Sequence, residues 1–179
     1  GAYASGTSVK FNAQPNSKTS KYTILAVANK TGGSADAQKL VTKYKTAPNL
    51  VVMTGDMTAG LNTEKDFGAL LEYANTLTAG RTPVMLLRGE NETKGAFAAY
   101  LPRILHHFTS TENINRLYTT YSASKLAVIG LDTATTKSDS DKSYNGFANF
   151  DELRAEQADW MENTLSKSFA GEYNIVFSN

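Results

Sequence analysis

The chain has 179 residues, is 41% hydrophobic and 20% charged, and carries a formal charge of +1. That is enough apolar residue to bury a full core as one domain, and the balanced charge without a Lys/Arg stripe argues against nucleic acid or an anionic membrane as partner. Zero Cys excludes disulfides, thiolate metal sites and cysteine nucleophiles, and no apolar run is long enough to span a bilayer.

Residues 1–21 are polar and rich in Ser, Thr and Asn, and read as an N-terminal arm or linker ahead of a domain over 22–179. Tyr22 to Ala28 reads as a buried strand that breaks at Asn29-Lys-Thr-Gly-Gly33. Ser34 reads as the N-cap of a helix with Ala37, Leu40, Val41 and Tyr44 on one face, stopped by Pro48. Asn49 to Met53 is a second buried strand, and it ends in Gly55-Asp56, a carboxylate at the strand's tip.

Thr63-Glu-Lys-Asp66 is a capping box with Asp in place of Glu, and Phe67, Leu70, Leu71, Ala74 and Leu77 then recur at helical spacing up to Gly80. Thr82 to Arg88 is a third strand, ending in Gly89-Glu90-Asn91-Glu92. Strand and helix alternating at this spacing predicts parallel pairing with right-handed crossovers.

Gly95 to Phe108 has a helical pattern, with Pro102 splitting it in two. Leu117 to Ser122 and Leu126 to Leu131 read as antiparallel strands joined by a tight turn. Thr133 to Gly146 is a polar loop. Asp151 reads as the cap of a helix with Leu153, Gln157, Trp160, Met161 and Leu165 on one face, Trp160 in the core. Glu172 to Ser178 is a last strand, with Asn179 at its tip.

These strand tips, in this order, resemble the calcineurin-like metallophosphoesterase family over Tyr22 to Asn179. The family pattern is Asp-x-His, then Gly-Asp, then Gly-Asn-His-Asp/Glu, then a His at a later tip and a Gly-His-x-His segment. Here Asn29 stands for the first Asp and Thr31 for its His, while Gly55-Asp56 matches. Glu90 takes the place of Asn, and Asn91 that of the catalytic His. Gly130-Leu-Asp132-Thr, the Gln157-x-x-Trp160 helix and Ile175 to Asn179 resemble further family markers, with Asn179 at the position before a metal-binding His. The Gly-His-x-His segment has no counterpart. The resemblance implies a layered α/β/β/α sandwich with mixed sheets, lacking the family's C-terminal strands.

It also implies a site whose donors have been replaced. Two cations clamping a phosphoryl group need bridging and terminal carboxylates, imidazoles and a general acid. Asp56 can still bridge, or equally cap its turn, but Asn29 offers only a neutral oxygen, Thr31 replaces imidazole poorly, and Asn91 cannot titrate near neutral pH. His106 and His107 are helix neighbours about 100° apart and cannot grip one ion together.

The leading expectation is therefore a catalytically inactive scaffold without a cofactor, serving as a binding or structural module of a larger exported, extracellular or cell-surface protein. One alternative is a phosphoester hydrolase holding a single Mg²⁺ or Ca²⁺ on Asp56 and Glu90 with Asn29, Asn91 and Glu92 nearby. A two-metal Mn, Fe or Zn centre would need ligands from another segment. Another alternative is an anion or nucleotide binder using Gly32, Gly33 and Lys30. Asp132 and Thr133 read as turn formers. The sequons at Asn29 and Asn91 are expected by chance in so Asn- and Thr-rich a chain.

Overall fold

A computed structural model describes residues 21–28, 34–43, 47–105, 115–123, 125–167 and 172–179. In chain order the elements are β1 (Ile24–Val27), α1 (Ser34–Lys43), β2 (Leu50–Met53), α2 (Glu64–Thr78), β3 (Val84–Leu86), α3 (Leu101–Leu105), β4 (Thr119–Ala123), β5 (Leu126–Gly130), α4 (Phe150–Lys167) and β6 (Tyr173–Phe177). Short 3₁₀ turns lie at Asn91–Thr93, Ala98–Tyr100 and Lys142–Tyr144.

Two sheets result. The first has the order β1-β2-β3 and is parallel throughout, as alternation of strand and helix requires. The second has the order β4-β5-β6 and is mixed: β4 and β5 form an antiparallel hairpin, and β6 lies parallel to β5.

Side-chain alternation along β2 shows how the layers stack. Val51 and Met53 face one way, into a cluster with Phe67, Leu70, Ala74 and Leu77 of α2 and Ala37 of α1. Leu50 and Val52 face the other way, joining Met85, Leu87, Leu126 and Val128 between the two sheets. A strand covered on both faces must be apolar at every position, which is why this stretch reads as an unbroken Val-rich run. Gly130 lets the sheets approach, because a Cβ there would meet Met85 Sδ at 2.5 Å and Leu87 Cδ2 at 2.7 Å. Ala127 and Ile129, on the opposite face of β5, are also buried, so the central strand of the second sheet is covered on both faces, while β6 is largely exposed.

The α2 N-terminus forms as its sequence directs. The Asp66 carboxylate accepts from the backbone N–H of Asn62 (2.9 Å) and of Thr63 (2.7 Å) and from the Thr63 hydroxyl (3.1 Å). These bonds, the Thr63 backbone first, hold its acid below the usual carboxylate range. The helix closes through Ala79 and Gly80, both in left-handed conformation.

α4 is tied to the chain around β4 and β5 by polar contacts. Arg116 donates to Glu156 through Nε (2.9 and 3.0 Å) and Nη2, and the Tyr118 hydroxyl donates to the same carboxylate at 2.7 Å. The Tyr118 and Trp160 rings lie 4.5 Å apart. Arg116 lowers the pKa of Glu156. Burial, and then the bond to Glu156, pushes Tyr118 up to about 12.

Several local expectations need correction. β1 is an edge strand and only half-buried. The helical stretch around Pro102 is in two pieces, a 3₁₀ turn at Ala98–Tyr100 and then α3, with Pro102 in the first turn of α3, where its missing N–H costs no helix bond. Asp151 does not cap α4. The loop residue Asp139 accepts from the N–H groups of Phe150 (2.7 Å) and Asp151 (3.0 Å), and Asp151 returns its own carboxylate to the Asp139 N–H at 3.0 Å. Trp160 is half-buried, and Leu165 is exposed. Tyr44, Phe108 and residues 1–20 lie outside the described residues.

Candidate functional site

The tips of β2 and β3 are built as a pair. Thr54 N donates to Val27 O (2.9 Å) and Leu87 N to Met53 O (2.8 Å), so both ladders run one residue past the strands. The chain then turns through Gly55 at φ +101° and Asp56 at φ +53°. Asp is among the few non-glycine residues that enter this region readily.

Each tip supplies an acid to the other tip's backbone. Glu92, 1% exposed, accepts from the N–H groups of Asp56 (2.7 Å), Thr58 (2.8 Å) and Gly89 (3.0 Å) and from the Thr58 hydroxyl (2.9 Å). Asp56 Oδ1 in turn accepts from the Asn91 N–H at 2.9 Å, and its Oδ2 lies 3.4 Å from Asn179 Nδ2. The same Asn179 amide donates to Thr54 O at 2.9 Å. Further along, Leu61 N donates to Lys94 O (2.7 Å) and Phe97 N to Leu61 O (2.9 Å), clamping the two loops along their length.

Of the residues singled out from sequence, the fold thus brings together Asp56, Asn91, Glu92 and Asn179. Glu90 stands beside them, but its carboxylate faces Lys94 at 3.3 Å and Lys137 at 3.9 Å. The Asn91 side-chain oxygen accepts from Lys94 Nζ at 3.2 Å. Asn29, Lys30, Thr31, Gly32, Gly33, His106 and His107 lie outside the described residues.

A buried carboxylate with four donors has spent its lone pairs, so Glu92 braces the loops. Asp56 keeps acceptor capacity and is half-buried, but the donor amide of Asn179 approaches it from the β6 side. Among the described residues no three His, Asp or Glu side chains are grouped so as to hold a metal ion. No described helix is long and apolar enough to cross a membrane.

Sequence reasoning missed the second polar centre. Arg88, at the end of the apolar β3 run, forks onto Asp132 after β5: Nε to Oδ1 at 3.0 Å and Nη2 to Oδ2 at 2.7 Å. Asp132 is fully buried, and its N–H donates to Gln157 Oε1 of α4 at 2.6 Å. Arg88 also lies over the Phe150 ring, 5.7 Å from its centroid. Asp132 is therefore no mere turn former; it joins both sheets and α4. The available signal was an Arg adjoining a buried run, which demands a buried acid.

No family model matches the sequence, and no curated protein matches it. Among solved structures, one of PhoD aligns over 87% of this chain and 40% of that chain, at 13% identity and a TM-score of 0.47. This chain spans well under half of that one, and a superposition this loose carries no argument about activity.

Proposed function

We propose that this chain is a calcineurin-like phosphoesterase scaffold that has lost metal-dependent hydrolysis and serves as a binding or structural module of an exported protein. The observation that carries this reading is the exchange of acids between the tips of β2 and β3. Glu92, at the last position of the family's third motif, accepts from the Asp56 and Thr58 N–H groups and the Thr58 hydroxyl of the facing loop and from the Gly89 N–H of its own. Asp56 is engaged by Asn91, at the family's catalytic His position. The contacts of Glu90 with Lys94 and Lys137 favour this reading over a single cation shared by Asp56 and Glu90. A scaffold that no longer needs ions can keep its loop geometry by giving its carboxylates N–H donors instead.

Titration calorimetry with Mn²⁺, Mg²⁺ and Ca²⁺, with melting curves at millimolar metal, tests the reading. The expected result is no saturable heat and an unchanged Tm, since a ligand that binds the native state must raise it. Saturable binding lost in Asp56→Asn would overturn the proposal.

A further inference from the structure

A cavity of about 500 Å³ opens beside α4 and is lined by none of Asp56, Glu90, Asn91 or Asn179. Arg88 lines it. Nε and Nη2 of Arg88 are held by Asp132, while Nη1 has no partner among the described residues, although the side chain is only 10% exposed. Nη1 is therefore the guanidinium nitrogen left to donate to a ligand. Arg116, also in the lining, is likewise committed to an acid, Glu156. Both guanidiniums of the lining are thus already paired with an acid, and Glu152 adds a carboxylate to it. An anion therefore finds no unpaired guanidinium charge here, and a neutral oxygen suits the remaining donor.

The rim carries an exposed aromatic ring. Phe147 is 92% exposed, although burial of its ring would stabilise the fold. The backbone holds it outward: Asn145 and Gly146 both have positive φ, and Phe147 N donates to Tyr144 O at 2.9 Å. Phe150 forms an inner wall, and Asn149, Glu152 and Thr93 add donors and acceptors. An exposed ring beside mixed amide, hydroxyl and carboxylate groups suits a ligand with one apolar face and several hydroxyls on its edge. None of the lining residues belongs to a strand, so the cavity offers no sheet edge for a peptide backbone to extend.

We propose that this cavity binds a neutral saccharide, with a pyranose C–H face on Phe147 and a sugar oxygen accepting from Arg88 Nη1. The site goes beyond the strand-tip reading and does not depend on it.

Saturation-transfer NMR on the full chain tests it with cellotriose, maltotriose and N,N′-diacetylchitobiose, and with glucose 6-phosphate as the anionic comparison. At least one neutral sugar should receive saturation on its ring protons. Phe147→Ala, at an exposed position that folding does not need, should weaken that binding about tenfold. Ala99→Trp, which fills the cavity from its exposed wall, should abolish it. The proposal is overturned if no neutral sugar shows transfer, if glucose 6-phosphate binds more tightly, or if binding survives both variants.

Discussion

A Cβ placed on Gly55 would stand 2.3 Å from the backbone nitrogen of Gly89, and one placed on Gly89 would stand 2.4 Å from the nitrogen of Asp56. The two loops meet backbone to backbone, and no side chain fits between them. Gly55 also has φ +101°. Gly55→Ala should therefore cost about 3 kcal/mol or more, from contact with unyielding backbone and from the strained conformation together. Gly68→Ala in α2, where a Cβ would meet nothing within 4 Å, should instead stabilise slightly. Urea midpoints of both variants check the contrast.

Glu92 and Glu90 are two residues apart and should behave very differently. Glu92→Gln turns an amide N–H₂ toward backbone donors and should destabilise by about 3 kcal/mol. Glu90→Gln disturbs only partly exposed pairs with Lys94 and Lys137 and should fall within about 1 kcal/mol of the parent. Equal losses in denaturant unfolding would contradict the bracing role given to Glu92.

The Arg88–Asp132 pair makes a prediction about two substitutions together. Asp132→Asn strands a buried guanidinium and should cost about 3–5 kcal/mol. Arg88→Met with Asp132→Leu removes both charges and should regain most of that loss. A double-mutant cycle measures the coupling, and additive losses would mean that the pair is not the stabilising unit.

Stability should fall at both ends of the pH scale through the contacts that fasten α4. Arg116 depresses Glu156 from its ordinary 4.5, so the unfolded chain binds more protons below about that pH, and stability drops as pH falls. Tyr118 is raised to about 12 from 10.0. There the folded chain holds its proton longer, so stability present below pH 10 is lost as pH rises through about 12. Tyr118→Phe keeps a ring against Trp160 and should soften the alkaline limb of melting temperature against pH without removing it, because burial also raises Tyr22 and Tyr73. Glu156→Gln should soften the acid limb without removing it, because Asp66, Asp141 and Asp151 are also held low by their hydrogen bonds.

What could be read from the residues was what is local. The Leu50–Met53 run, the 3.6-residue spacing of α2 and the Thr63–Asp66 box each specify themselves within a few positions, and all three form as expected. The hairpin of β4 and β5 is equally local. Partners distant in sequence were not legible: Asp132 meets Arg88 across 44 positions, and Asp139 rather than Asp151 caps α4. Exposure along β6 and at Leu165 was missed because apolar composition does not reveal which face a neighbour covers. At the candidate site, the order of strand tips pointed to Asp56, Asn91 and Asn179 as neighbours. Which atom each carboxylate accepts from depends on the φ angles of Gly55 and Asp56, and no residue spacing encodes those.

The central claim is that the two acids of the paired tips hold backbone rather than ions and that hydrolysis has been lost. Hydrolysis of p-nitrophenyl phosphate and bis-p-nitrophenyl phosphate by the full chain, with millimolar Mn²⁺ present, tests it most directly. The account predicts no turnover above buffer. Metal-dependent turnover that vanishes in Asp56→Ala would contradict it.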